Sequence, residues 1–231
     1  GLGDVYKRQY YHLVLLAENN QGYANLMKIV SKGFTEGFYY KPRVDLAVLK
    51  EYHEGIIALS ACLAGEVARY LQRGMYEDAK AAALRYQDIF GKGNFFLELQ
   101  DHGIPAQRLV NQELLRMHEE TGIDLVATND VHYTRAEDAD PHDILLCLQT
   151  NKKLADEDRM RYEGGQYYVK SPEEMAELFP YALEALENTH KIAQRCHVEI
   201  EFGVTKLPRF DVPDGLTSWE YLNLSLIHIS E

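Results

Sequence analysis

Long apolar runs, paired cysteines, phosphate-binding loops and an excess of basic residues are all missing from this chain, and each absence removes a class of protein. No stretch reaches the roughly 18 unbroken apolar residues of a membrane span, and no basic-then-apolar leader opens the sequence. The chain therefore reads as cytoplasmic, with no membrane partner. Its three cysteines, Cys62, Cys147 and Cys196, are odd in number and widely spaced, which argues for reduced thiols rather than a disulfide framework. There is no Gly-Lys-Ser/Thr phosphate loop, no Gly-x-Ser-x-Gly elbow and no Cys-x-x-Cys pair, so several large enzyme classes drop out. Lys and Arg number 24 against 36 Asp and Glu, a net charge of −12. A broad phosphate-binding face is excluded by that balance, and any nucleic-acid contact must be local.

What is present is a 231-residue chain, 46% hydrophobic, 26% charged and 11% aromatic, enough for one or two domains with a core of normal size. It carries no internal repeat or low-complexity segment. Both ends look foreign to it: Asp4–Gln9 and Leu224–Ile229 are readable as translations of two DNA strings that are reverse complements of each other. Such an inverted repeat resembles the transposase end used in sequencing adapters. Residues 1–9 and 224–231 are therefore set aside from fold reasoning, and the natural stretch is expected to be truncated at both ends.

Between these ends, strands and helices alternate. Apolar runs of strand length occur at Tyr11–Ala17, Ile56–Leu59, Asn94–Leu99 and Ile123–Thr128. Helical spacing occupies Asn20–Lys32, Tyr76–Phe90, Pro105–Glu120, Ala136–Gln149 and Tyr181–Arg195, and Ser171-Pro172-Glu173-Glu174 reads as a capped helix start. Gly33–Arg43 reads as loop. The expectation is an α/β protein with a mostly parallel sheet, whether open or closed into a barrel.

In such folds chemistry gathers where strands end. Asp130 and His132 follow the last strand, two residues apart; on an extended segment both side chains point to one side, a pattern suited to a divalent Zn, Mn or Fe ion. The alternative is an Asp capping the next turn beside a core-edge His. Cys62, just past another strand, is a further candidate ligand or else a small buried hydrophobe. His12 opens its strand, which is the wrong end for a ligand at the strand-end rim. His102 follows the third strand and Glu98 lies near its end, so that both could share one rim, where they suit supporting roles. Tyr39-Tyr40-Lys41-Pro42-Arg43 mixes aromatics with cations, able to stack on a single-stranded base and hold a phosphate, or simply to pack as a loop.

Five motifs occur in order: Tyr11–Ala17, Gly37–Arg43, Ala58–Glu66 (Ala-Leu-Ser-Ala-Cys-Leu-Ala-Gly-Glu), Ala127–Tyr133 (Ala-Thr-Asn-Asp-Val-His-Tyr) and Leu145–Thr150. Together they resemble the polymerase-and-histidinol-phosphatase (PHP) domain of bacterial DNA polymerase III alpha subunits. The resemblance runs from Tyr10 to Asn223. Lys170–Met175 and Lys206–Phe210 resemble that family's passage toward the polymerase core, so that 10–200 would be a partial PHP domain and 201–223 the start of a linker.

The resemblance implies a distorted seven-stranded β/α barrel of the TIM-like kind, here lacking its first strands. It also implies a divalent metal cluster, with His12, Cys62, Asp130 and His132 at four of the family's nine ligand positions and Asp130 and His132 closest to the chemistry. The His-x-His, Thr-Asp-His-Gly and Gly-Cys-Glu motifs that supply the other five lie upstream of the position matching Tyr10. The chain as written is thus expected to bind metal poorly and to fold badly. The implied parent is a DNA-directed DNA polymerase that uses Mg at carboxylates further along, with metal-dependent 3′–5′ exonuclease proofreading in the PHP domain. Its partners would be DNA, a sliding clamp and a proofreading subunit. A non-catalytic PHP scaffold docking that subunit, a free-standing PHP phosphoesterase and an error-prone paralogue are the alternatives.

Overall fold

A computed structural model describes residues 10–205, 207, 210–213 and 215–229. The first adapter-like stretch and Lys206, Pro208 and Arg209 of the exit motif lie outside the described residues, as do Ser230 and Glu231.

Of the described residues, those from 10 to 199 form one compact unit, and those from Ile200 on form a second. In the first, β1 (Val14–Ala17) leads into α1 (Asn20–Thr35) and the short α2 (Leu46–Glu51); β2 (Ile56–Leu59) is followed by α3 (Glu66–Gln72) and α4 (Tyr76–Phe90). Then come β3 (Phe95–Leu99), α5 (Pro105–Thr121), β4 (Leu125–Ala127), a 3-10 turn at Ala136–Asp138, and α6 (Ala139–Thr150), α7 (Pro172–Leu178) and α8 (Leu183–Arg195). The second unit contains α9 (Ser218–Ile229), which includes Leu224–Ile229, and a ring contact between Phe210 and Tyr221 with centroids 5.4 Å apart.

Local chemistry sets the boundaries. The Asn19 side chain accepts from the Gly22 amide at 2.9 Å and starts α1. Ser171 and Glu174 close a reciprocal capping box on α7, and Gly122, with φ +67°, ends α5 in the left-handed conformation.

The four strands lie in the order β1-β2-β3-β4. Pairing is parallel from β2 to β4, as the alternation predicts, but β1 is antiparallel to β2, with Val14 opposite Leu59 and Ala17 opposite Ile56. The expectation of a mostly parallel sheet is corrected at this one strand. The cause is the excursion through α1, the 36–45 loop and α2, which leaves and returns at a single rim. There the Glu18 amide donates to Gly55 O at 2.9 Å, and α1 crosses Gly55 so closely that a Cβ on Gly22 would stand 1.8 Å from the Gly55 carbonyl oxygen. β1 is also shorter than its apolar run: His12 leaves the ladder and bridges to Gly65 instead.

Strand alternation sorts the core onto two faces. Ile56, Ala58, Phe95, Leu97, Leu99, Leu125 and Ala127 pack under helices α1 to α5 in the main cluster. On the other face Ile57, Leu59, Phe96 and Val126 meet Ile192 of α8. The same period of two carries Glu98 to this second face. Among the described residues, no helix is long and apolar enough to cross a membrane.

Candidate active site

Because β1 runs against its neighbours, its beginning lies at the rim where β2, β3 and β4 end. The objection that His12 sits at the wrong end of its strand is thereby removed. Its amide donates to Ala64 O at 3.1 Å, and its Nδ1 stands 3.5 Å from Cys62 Sγ. His12, Cys62, Glu98 and Asp130 line one open cavity of about 670 Å³, with Tyr10 and Lys41 also on its wall.

Cys62 is held by a tight turn after β2. Ala61 adopts φ +64°, the Gly65 amide donates to Cys62 O at 2.8 Å, and a Cβ on Gly65 would come within 2.2 Å of Ser60 O. The Ser60 hydroxyl accepts from the Glu98 amide at 2.8 Å, fastening the turn to β3. Burial pushes the Cys62 thiol pKa up, and the nearby Asp130 and Glu98 charges add to it. Without a neighbouring cation the sulfur keeps its proton; a divalent ion would favour the thiolate.

Glu98 is only 6% exposed. Its Oε1 accepts from Thr128 Oγ1 at 2.5 Å and from Gln100 Nε2 at 3.1 Å, while its Oε2 is buried without a hydrogen-bond partner. Burial raises this carboxyl above the ordinary range, and hydrogen bonding from Thr128, Gln100 and the Ala61 backbone opposes the shift. A buried carboxylate oxygen with no partner is costly unless a proton or a cation meets it.

The loop after β4 departs from the extended segment expected there. Asp130 has φ +43°, a conformation Asp tolerates better than most residues, so Asp130 and His132 do not share a face by simple strand alternation. Both are exposed. His132 Nδ1 lies 2.6 Å from Asp130 O, which places the proton on Nδ1 and leaves Nε2 free. The ring lies against Tyr162, with centroids 4.1 Å apart, and is not part of the cavity wall that His12, Cys62 and Asp130 share. Among the described residues no three His, Cys, Asp or Glu side chains stand close enough together to hold an ion.

His102 anchors this loop from below. Gln107 donates to His102 Nδ1 at 2.8 Å and accepts the His102 amide at 2.8 Å. The ring proton therefore sits on Nε2, which donates to Asn129 O at 2.8 Å. Tyr167 stacks on the ring with centroids 4.0 Å apart, and the Asn129 amide ties Gln166 O and Tyr168 O at 3.0 and 2.7 Å. The peptide just before Asp130 is thus fixed from both sides. Gln100, Thr128 and Asn129 were not among the sequence candidates. Their signal was position alone, since each directly follows a strand.

Residues 3–102 match the PHP domain family. The DNA polymerase III alpha subunit of Treponema pallidum is 44% identical over 221 residues, 96% of this chain and 19% of that protein. Those of Deinococcus radiodurans and Borreliella burgdorferi are 43% and 45% identical over 220 and 214 residues, covering 93% and 92% of this chain and 16% and 19% of theirs. The chain therefore spans less than a fifth of the length of these relatives. The cavity that gathers His12 and Cys62, the ordered motifs and these identities agree: the chain is a PHP-domain sequence of the kind carried by DNA polymerase III alpha subunits.

Proposed function

We propose that the cavity is a divalent-metal phosphodiesterase site within a DNA polymerase III alpha subunit, a cytoplasmic DNA-directed DNA polymerase. The reading takes the four strands as part of a distorted seven-stranded β/α barrel and places DNA, a sliding clamp and a proofreading subunit among the parent's partners. Magnesium would serve nucleotide addition elsewhere in that parent. The observation that carries the site is the unpartnered Glu98 Oε2 beside the His12–Cys62 pair and Asp130. Imidazole nitrogen, thiol sulfur and carboxylate oxygen are donor types that suit Zn, Mn or Fe, and holding one ion would require them to draw together from the positions described above.

His12, Cys62, Asp130 and His132 would hold the metal, which when bound supplies Lewis acidity toward a phosphoryl oxygen and a low-pKa water for 3′–5′ hydrolysis. The chain's own part is positional. The His102–Asn129 contact fixes the backbone that presents Asp130. The tight Ser60–Gly65 turn aims Cys62, and the hydrogen bond from His132 Nδ1 to Asp130 O leaves the lone pair on Nε2 for a metal. Glu98 adds negative charge at the floor.

A non-catalytic scaffold that docks a proofreading subunit is the second reading, favoured by the separation of His132 from the His12–Cys62 pair. A free-standing phosphoesterase has weaker support, because similarity to the alpha subunits continues through 92–96% of the chain.

The test is metal stoichiometry and exonuclease rate of the wild-type protein against Asp130→Asn, a substitution that tolerates the left-handed backbone. Loss of bound metal with loss of cleavage is expected. Unchanged stoichiometry and rate refute the site, while metal binding without cleavage in the full-length parent selects the scaffold.

A further inference from the structure

In the Tyr39–Arg43 motif the Tyr39 and Tyr40 rings meet edge to face, with centroids 4.6 Å apart. Arg43 Nη2 donates to Tyr39 O at 2.5 Å, and its guanidinium lies over the Tyr39 and Tyr10 rings at 4.9 and 5.9 Å. That stack stiffens the segment. The Tyr39 amide donates to Lys41 O at 3.1 Å, a closed turn with Tyr40 at its apex in the left-handed region, φ +61°. A bulky residue is rarely held there. Tyr40 is 63% exposed and Tyr39 48%. Lys41, one residue on, stands on the wall of the His12–Cys62–Asp130 cavity, its Nζ 5.6 Å from the Tyr10 ring. Among the described residues it is the one Lys or Arg on that wall, in a chain whose net charge is −12.

A small phosphate monoester would need the cation but not the aromatic shelf outside it. A strand with unpaired bases uses both: the phosphate meets the ammonium, and a base lies flat on an exposed ring, as in single-strand binders generally.

We propose that Tyr40 and Lys41 form a subsite for single-stranded nucleic acid, in which Lys41 holds a backbone phosphate and Tyr40 stacks an unpaired base next to the cavity. The proposal rests on the phosphodiesterase reading and names its substrate: a frayed, single-stranded end rather than a duplex or a mononucleotide.

The experiment is fluorescence anisotropy of the full chain with a fluorescein-labelled oligo-dT in EDTA, so that no cleavage intervenes, repeated across a salt series. Lys41→Ala is expected to weaken binding about five- to tenfold at low salt and to lower the salt slope by about one phosphate contact. Tyr40→Asn, which keeps the left-handed turn, is expected to cost about tenfold with the slope unchanged. Circular dichroism melts matching wild type confirm that both variants fold. Equal binding by wild type and both variants overturns the subsite. So does a blunt hairpin that binds as well as oligo-dT, or competition by thymidine monophosphate or inorganic phosphate at the same concentration as the oligonucleotide. Metal titration of Asp130→Asn, run separately, distinguishes the two readings. Weakened DNA binding by Lys41→Ala alongside unchanged metal binding by Asp130→Asn removes the hydrolytic site and leaves the subsite. The opposite pair of results removes the subsite alone.

Discussion

Replacing Glu98 by Gln should stabilise the metal-free protein. Glu98 Oε1 already accepts two hydrogen bonds, from Thr128 and Gln100, and the amide of Gln keeps an acceptor at that position. What changes is the buried, unpartnered Oε2, which becomes an uncharged NH2, so that a buried charge is exchanged for a neutral group that also lacks a partner. A buried polar group left unsatisfied costs about 1–3 kcal/mol and more when charged; taking the difference as about 2 kcal/mol, each kcal/mol moves Tm by about 2–4 °C for a domain of this size. The expected gain in EDTA at pH 7 is therefore about 6 °C, read by differential scanning calorimetry. The pH dependence follows from the raised carboxyl pKa. In the folded state Glu98 holds its proton more tightly than the unfolded chain does, near pH 4.3, so folding stability falls as pH rises from there through the folded value. The advantage of Gln should vanish at about pH 4 and be full only once wild-type Glu98 is ionised. Added Mn should reverse the order by stabilising wild type more than the variant. A variant that melts at or below wild type in EDTA at pH 7, or one whose gain is the same at pH 4, refutes the claim that Glu98 is a carboxylate waiting for a cation.

Gly22→Ala places a Cβ 1.8 Å from Gly55 O and should cost about 3 kcal/mol or more, seen as a lower urea midpoint at constant m-value. His102→Phe keeps the ring stack on Tyr167 but strands the Gln107 amide and Asn129 O; about 2–4 kcal/mol should be lost, with faster hydrogen exchange at 130–133 than in β3. Glu120, hydrogen-bonded by Lys80, Tyr76 and Arg116, has its pKa lowered to about 2. Its contribution is full above the unfolded value near 4.3 and fades as pH falls toward 2, so Glu120→Gln should flatten the acid limb of a melting-temperature profile between about pH 4 and 2.

The strands Ile56–Leu59 and Phe95–Leu99 were legible because fully buried strands must be continuous apolar runs. The same rule overextended β1, since Tyr11 and Leu13 continue the run where the ladder has stopped. Helix α2 escaped notice although Asp45 signals it, its carboxylate accepting from the Val48 amide at 3.0 Å; six residues are too few for a periodic pattern. Strand direction was not legible, because alternation is the same read either way. For that reason His12 stood as a misfit until the pairing of β1 was known. Cys62 and Asp130 were found by position after strands. The His102 contact with Asn129, 27 residues away, and the left-handed turn at Asp130 depend on tertiary context that no local spacing encodes.

The reversed strand also makes the site a gauge of alignment. Cys62, Glu98 and Asp130 are placed by strands or turns in the parallel part of the sheet, whereas His12 is placed by its bridge to Gly65 and by the start of β1, which is paired on one side only, with β2. A slip of one residue between those two strands would turn His12 to the opposite face and carry it about 3.3 Å along the rim, while the hydrophobic core beneath kept most of its contacts. The imidazole–thiol pair would come apart while the protein still registered as folded by far-UV circular dichroism. Loss of the 3.5 Å His12–Cys62 contact by such a slip would therefore be a local event, distinct from global melting.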